Sequence, residues 1–378
     1  MTPDGQLEIG VVGLGYWGPN LARNIAEHPR ASLRWLCDLD DAALSTFATR
    51  YPGVRTTTRI EDLENDPDLD AIAIVTPVST HYDIAARALD AGKHVFVEKP
   101  LATSSSDAID LIKRAKSAKR VLMPGHTFLY SPPVMKIKEL IDSNVLGELY
   151  FISMSRVNLG LHQPDVSVVW DLGPHDFSIL RYWLGGLPSR VSAMTRDCVI
   201  PGTPDVAFVN MQFDSGTIAH LELSWLSPSK LRRTAIVGSN KMVVYDDLSN
   251  EPIRIFDSGA ELPDPETFGE YRLSYRTGDI VSPKIEGTEP LSLEISDFCA
   301  AALDGGTPRS SAELGLDVIR AIEAVDRSLD ANGAPAAVDV SNAPVKSHRP
   351  HPGKPKQGPL RAGRTGHPGS KSAKPSRG

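Results

Sequence analysis

Leu7-Glu8-Ile9-Gly10-Val11-Val12-Gly13-Leu14-Gly15-Tyr16-Trp17-Gly18, residues 7–18, decides the fold. Leu7–Val12 reads as a strand, and the amphipathic run from about Trp17 to Glu27 reads as a helix. Between them stand three glycines at Gly-x-Gly-x-x-Gly spacing. Such triplets arise by chance, so the flanking strand and helix carry the reading. Gly13 permits a tight turn, Gly15 lets the backbone approach a pyrophosphate, and Gly18 lets the helix pack close to the strand. The helix N-terminus then offers free N–H groups to an anion.

Outward from this loop the pattern repeats. Strands are expected at Leu33–Cys37, Ala71–Val75, His94–Val97 and Val121–Met123, and helices at Asp40–Arg50, His81–Ala91 (stopped by Gly92) and Thr103–Lys119. Strands separated by helices of this length imply βαβ units and a parallel, doubly wound α/β sheet over residues 5–124. After about Pro124 the texture changes. A helix is expected at Pro132–Asp142, a strand at Leu149–Val157 and a helix from near Asp171 to Trp183. Strands follow at Arg190–Arg196, Val206–Phe213, Thr217–Trp225, Arg233–Val237 and Met242–Tyr245. Gly238-Ser239-Asn240 reads as a hairpin connection, and Ile218, Leu221 and Leu223 carry the apolar pattern of one strand. Helices at Leu291–Leu303 and Ala312–Leu329 close the series. Residues 125–340 are therefore expected to form an α+β domain with a large, mostly antiparallel open sheet, its last helices packing back on the first domain.

Residues 346–378 hold five Lys and four Arg with no Asp or Glu, and are rich in Pro, Gly and Ser. Such a segment lacks the apolar residues that offset ordering entropy, so 341–378 is expected to be a disordered basic tail. The whole chain of 378 residues has a net charge of -7, which argues against nucleic acid as the main partner. Cys37, Cys198 and Cys299 are scattered and lie away from histidines at ligand spacing, so neither a disulfide framework nor a metal site is expected. Met1 to Leu7 has no apolar core of a signal peptide, and no stretch reaches the length of a membrane span, so a cytoplasmic protein is expected.

Asp38 ends the second strand, 20 residues after Gly18, where an acidic side chain hydrogen-bonds an adenosine ribose. Its charge repels a 2′-phosphate and so favours NAD over NADP. The alternative for Asp38 is a helix N-cap. Arg34 points elsewhere on strand alternation. The fourth strand ends in Thr76-Pro77-Val78-Ser79-Thr80-His81 at the carboxyl edge of the sheet, where such sheets bind ligands. Thr76 and Pro77 are candidates for the nicotinamide side, and Thr80 for a cap on the next helix.

Glu98-Lys99-Pro100 follows another buried strand at the same edge. A lysine there can polarise a substrate hydroxyl, or it can be a surface lysine paired with Glu98. In Trp170-Asp171-Leu172-Gly173-Pro174-His175-Asp176, Asp171 and His175 share a helix face. A carboxylate so placed can fix the imidazole tautomer and leave the other nitrogen to exchange a proton. Alternatively Asp171 caps the helix and His175 is a satisfied interior histidine. Arg156, Asn158 and His162 precede this segment and are candidates for substrate contact or for loop structure; His126 and Tyr130 have the same standing.

In order, GLGYWG, CDLD, TPVSTH, EKP and DLGPHD resemble the landmarks of the glucose-fructose oxidoreductase/inositol dehydrogenase/rhizopine catabolism (Gfo/Idh/MocA) family, over roughly residues 7–335. The resemblance implies a Rossmann domain holding NAD through Gly13, Gly15, Tyr16, Trp17, Gly18, Asp38, Thr76, Pro77, His81, Glu98 and Lys99. It makes Lys99 the lysine of the EKP motif, His175 the acid/base and Asp171 its partner in the substrate pocket; Arg156 and Asn158 are candidates for substrate contact by position alone. It implies a sugar, nucleotide-sugar or cyclitol dehydrogenase acting as a homodimer or homotetramer through the outer face of the open sheet. Gly-Tyr-Trp-Gly-Pro-Asn at 15–20 and Gly-His-Thr-Phe at 125–128 resemble members linked to nucleotide-sugar metabolism. Val166–Trp170 departs from the glycine-rich lead-in of many relatives, and the basic tail has no counterpart. Two other activities fit the same motifs: an NAD-dependent glycosidase that oxidises its sugar transiently, and a sugar or cofactor sensor without turnover.

Overall fold

In the computed structural model, which describes residues 5–160, 162, 166–261 and 274–340, the glycine loop lies at the centre of a parallel sheet. The first elements are β1 (Leu7–Val12), α1 (Gly18–Glu27), β2 (Ala31–Cys37), α2 (Asp41–Arg50), β3 (Arg55–Thr57) and α3 (Ile60–Glu64). They continue as β4 (Ala71–Ile74), α4 (His81–Asp90), β5 (His94–Glu98), α5 (Ser105–Ala118) and β6 (Leu122–Gly125). The strand order is β3-β2-β1-β4-β5-β6, and every pair is parallel. β1 and β4 are buried along their whole length, as strands covered on both faces must be. The order reverses between them, so their connections leave in opposite directions and open a crevice at the carboxyl ends. β3 and α3 were not expected; three and five residues are too few to show a period.

The second half runs α6 (Pro132–Asp142), β7 (Leu149–Leu159), α7 (Val168–Leu184), β8 (Arg190–Arg196), β9 (Val206–Gln212) and β10 (Ile218–Ser224). After these come β11 (Leu226–Gly238), β12 (Met242–Asp246), β13 (Ile253–Glu261), β14 (Ser274–Val281), α8 (Pro290–Asp304), α9 (Ala312–Asp330) and β15 (Ala336–Ala337). The second sheet has the order β14-β13-β12-β11-β7-β10-β9-β8-β15. Its pairs are antiparallel except β10 with β7. The expected mostly antiparallel open sheet is thus present, with β13, β14 and β15 added. β11 begins at Leu226 rather than Arg233, and its pairing with β7 is irregular between Leu226 and Leu231. Ser227-Pro228-Ser229 fills that interval, and a proline cannot donate to a ladder. Ile218 turns to the outer face at 55% exposure, while Ala219, Leu221 and Leu223 point inward.

α7 packs on β9 and β10, and α9 packs on α7 and β8. The last two helices also reach the first sheet, α8 against α1 and β1, and α9 against α5 and β6. Arg23–Glu289 at 2.6 Å and Arg30–Asp304 at 2.6 Å tie α8 and its lead-in to that side. The carboxyl edge of the parallel sheet therefore faces α7, and the expected catalytic segments meet there. The basic tail lies outside the described residues. No helix among the described residues is long and apolar enough to cross a membrane.

Candidate active site

The turn after β1 depends on its glycines. Gly13 has φ +97°, and a Cβ there would meet Val75 O at 2.6 Å. A Cβ on Gly18 would lie 2.2 Å from Gly13 O, so only glycine lets α1 start this close to β1. A Cβ on Gly15 would meet nothing within 4 Å, so the space beside the loop at this residue is open. The backbone N–H groups of Gly15, Tyr16 and Trp17 donate to no acceptor among the described residues. Free amides at a helix start, beside open space, fit a pyrophosphate. Gly18→Ala is expected to abolish dinucleotide affinity and lower the melting temperature; calorimetric titration and thermal unfolding check both.

Asp38 receives Leu14 N–H at 2.5 Å and Asp40 N–H at 2.9 Å, so its carboxylate is held beside the glycine loop. It is not the helix cap: Asp40 caps α2, accepting from Ala42 and Ala43. Arg34 is held away from this edge by Asp66 at 2.7 Å and Asp68 at 2.8 Å.

Lys99 closes the gap between the two halves. Its Nζ donates to Asp171 O at 2.8 Å and lies 3.4 Å from Asp171 Oδ1, across 72 residues of chain. Pro174 stands inside α7 and has no N–H to offer Trp170 O, four residues before it. The indole N–H of Trp225 donates to Asp171 Oδ2 at 3.1 Å, so the carboxylate is held from two sides. His175 lies one turn further along α7. Burial, followed by Lys99, Arg156, His126 and Arg232, holds its pKa well below the ordinary imidazole value. The ring is therefore neutral at neutral pH.

Residues 7–126 match the model of an oxidoreductase family with an NAD-binding Rossmann fold, and residues 134–244 match the GFO/IDH/MocA C-terminal domain. The chain belongs to this oxidoreductase family. It is 26% identical to a scyllo-inositol 2-dehydrogenase (NAD(+)) of Bacillus subtilis over 359 residues, covering 89% of this chain and 98% of that enzyme. It is 28% identical to an uncharacterised oxidoreductase of Streptococcus pneumoniae over 232 residues, covering 57% of this chain. That match spans 62% of the pneumococcal protein, less than two thirds of its length. The crystal structure of GenD2 from gentamicin A biosynthesis, in complex with NAD, superimposes with a TM-score of 0.74 at 26% identity, covering 90% of this chain and 99% of that one.

Against this Gfo/Idh/MocA frame, several expected site residues have other work. Asp171 neither caps α7, which starts at Val168, nor bonds the imidazole; Lys99 and Trp225 occupy its carboxylate, and His175 Nδ1 has no partner among the described residues. His81 is buried, with its ring nitrogens 2.9 Å from Thr76 O and Pro100 O. It clamps the TPVSTH loop to the cis Lys99-Pro100 turn and presents no polar atom to a cofactor. Thr80 stands at the cap position of α4 without capping it; its hydroxyl meets Thr76 Oγ1 and donates to Pro77 O, both at 2.7 Å. Thr76 is half-buried and Pro77 exposed after the end of β4.

Arg156 is not free for substrate. It makes a paired contact with Asp176 at 2.6 and 2.8 Å, both side chains buried, and its guanidinium lies 4.5 Å from the Phe128 ring centre. Asn158 lies near the end of β7, half-buried on the same strand face as Arg156. Tyr130 donates to Asp297 at 2.7 Å and is structural. His162 lies 3.6 Å from Asp205 and packs on Trp225. Sequence reasoning missed Trp225, Phe128 (edge-on to His175 at 4.9 Å), Arg232 and Glu294. For Trp225 a signal existed: a tryptophan ending an alternating strand has an N–H that needs a partner when buried.

Proposed function

We propose that the protein is an NAD-dependent dehydrogenase that oxidises a ring carbinol of a sugar, nucleotide sugar or cyclitol, reversibly. The observation that carries this reading is the contact of Lys99 Nζ with Asp171, which brings the end of β5 against the helix that holds His175. The likeness to an inositol dehydrogenase supports the substrate class.

When bound, the nicotinamide accepts or supplies the hydride. The protein supplies placement and proton transfer. His175, neutral and flanked by cationic side chains, takes the hydroxyl proton. Lys99 hydrogen-bonds the same oxygen and stabilises its developing negative charge. Asp171 fixes the ammonium group, and Trp225 fixes Asp171. Gly15, Tyr16 and Trp17 offer amides to the pyrophosphate. Asp38 selects NAD, since Leu39, Asp40 and Asp41 follow it and supply no cation for a 2′-phosphate.

Exposed Phe151, Phe208 and Ile218 on the outer face of the second sheet support a homodimer or homotetramer, which sedimentation equilibrium would resolve. Absorbance of NADH, screened over UDP-sugars, inositols and free hexoses with NAD and NADP in parallel, tests the reading. Turnover on one of these with a preference for NAD is expected; no reduction of either dinucleotide by any of them refutes it. Asp38→Ala is expected to narrow or erase the preference for NAD, measured as the ratio of kcat/KM for the two dinucleotides.

A further inference from the structure

Five buried side-chain atoms with no hydrogen-bond partner among the described residues belong to four residues of one neighbourhood: Glu98 Oε1, both ring nitrogens of His126, His175 Nδ1 and Glu294 Oε1. Unmet buried polar atoms are costly, and a cluster of them marks a place for ordered water. The fold explains why they meet. β5 and β6 end side by side, with Glu98 paired to Gly125. A Cβ on Gly125 would lie 3.1 Å from the Glu98 carboxyl, so glycine leaves room for it. His126 comes next. Thr127 follows and donates to Glu294 Oε2 at 2.7 Å, from a helix that reaches in from the far end of the chain. On the other side, Lys99 N–H donates to Glu98 Oε2 at 3.1 Å, and the Trp17 side chain of the glycine loop lies beside the same carboxyl group and favours its charge.

Glu98 disfavours the charge on Glu294, and two carboxyl groups buried in one neighbourhood do not both ionise readily. Charged or titratable groups face the cluster from every side. Lys99 acts on Glu98, and Asp297 and Tyr130 face Glu294; Lys99, Arg156, His126 and Arg232 act on the imidazole of His175, with Asp171 held on Lys99. Burial pushes the Glu98 carboxyl up to about 7 and Glu294 well above the usual range. Burial and Lys99 push His126 down to about 3, so its ring is neutral at neutral pH.

We propose that Glu98 and Glu294 share one proton and, with His126 and intervening water, form a relay that carries the proton of the oxidised hydroxyl away from His175. This rests on the dehydrogenase reading above. In the oxidation, the carbinol C–H leaves as hydride to the oxidised nicotinamide, and the O–H proton goes to His175. His175 returns to neutral by passing a proton through His126 to the ionised carboxylate of the pair, which releases one proton to solvent. Reduction runs the same transfers backwards. Glu98, Glu294 and His126 are positioning residues in this scheme, since none of them meets the substrate, as His175 and Lys99 do.

Two measurements on the full chain test it. Infrared spectroscopy of the protein without substrate should show a protonated carboxyl band at neutral pH that Glu98→Gln and Glu294→Gln diminish. These substitutions keep size and remove a charge, so folding is expected to survive them. With NAD and the sugar found by the screen, Glu294→Gln and His126→Leu should lower steady-state oxidation by about tenfold or more, at the low end of or below what proton-transfer groups typically contribute. The solvent deuterium isotope effect should rise, added imidazole buffer should restore part of the rate, and the sugar KM should stay unchanged. No protonated carboxyl at neutral pH, or variants that match an active parent in rate and isotope effect, overturns the relay alone. A parent that passes hydride from no sugar overturns the dehydrogenase reading, and the relay with it, whatever the infrared band shows.

Discussion

His175→Ala and Lys99→Ala are each expected to lower sugar oxidation by about 10²–10⁴-fold, the usual worth of a positioned proton-transfer group, while NAD still binds. The two losses have different origins. Without His175 the hydroxyl proton has no base. Without Lys99 the alkoxide character that grows on the same oxygen goes unmet, and Asp171 loses the donor that touches both its carbonyl and its carboxylate. Neither substitution touches the free amides of the glycine loop, so the dissociation constant for NAD, read by fluorescence titration, should hold within a few-fold. Single-turnover NADH formation gives the chemical step directly. Turnover equal to the parent in both variants would remove the assigned roles. The pH profile carries a further sign. An ordinary imidazole loses its basic form as pH falls through about 6.5. Burial and neighbouring cations hold His175 well below that, so kcat/KM for oxidation should stay level through pH 6.5 and fall only at more acid values.

The parts of this site legible in the sequence are those in which local chemistry and tertiary role coincide. Ala71–Ile74 is apolar throughout because it is covered on both faces, and it reads as a buried strand without help. The glycine loop is legible because Gly13 and Gly18 meet backbone only a few residues away or on the neighbouring strand. What stayed hidden depends on pairs far apart in the chain. Arg156 reads as a basic residue near a catalytic segment, and only the fold sets Asp176 against it. Asp171 and His175 lie four apart on one helix, which suggests a bond between them. Yet Lys99, 72 residues away, and Trp225, 54 residues away, compete for that carboxylate and win. Helix spacing fixes which side chains share a face, but not which donor arrives first from another element. The same applies to His81, whose motif position suggests a ligand contact while its ring holds two loops together.

Arg156→Leu is expected to destabilise the protein by about 3–5 kcal/mol, the cost of breaking a buried ion pair from one side. Arg156 and Asp176 are both buried and joined by two short bonds, so removing the guanidinium strands a carboxylate that water cannot reach. The double substitution Arg156→Leu with Asp176→Leu should recover much of the loss, because two matched apolar side chains leave no charge behind. Denaturant unfolding of the three variants measures this as a coupling. The single change also reaches the chemistry. Arg156 lies over Phe128, Phe128 stands edge-on to His175, and the positive charge of Arg156 is one of the reasons that His175 stays neutral. Without it the imidazole pKa rises, so the acid limb of the rate profile should move to higher pH. A variant that keeps full stability but loses sugar affinity would instead make Arg156 a substrate contact, and the buried pair would then count for little in holding α7 against β7.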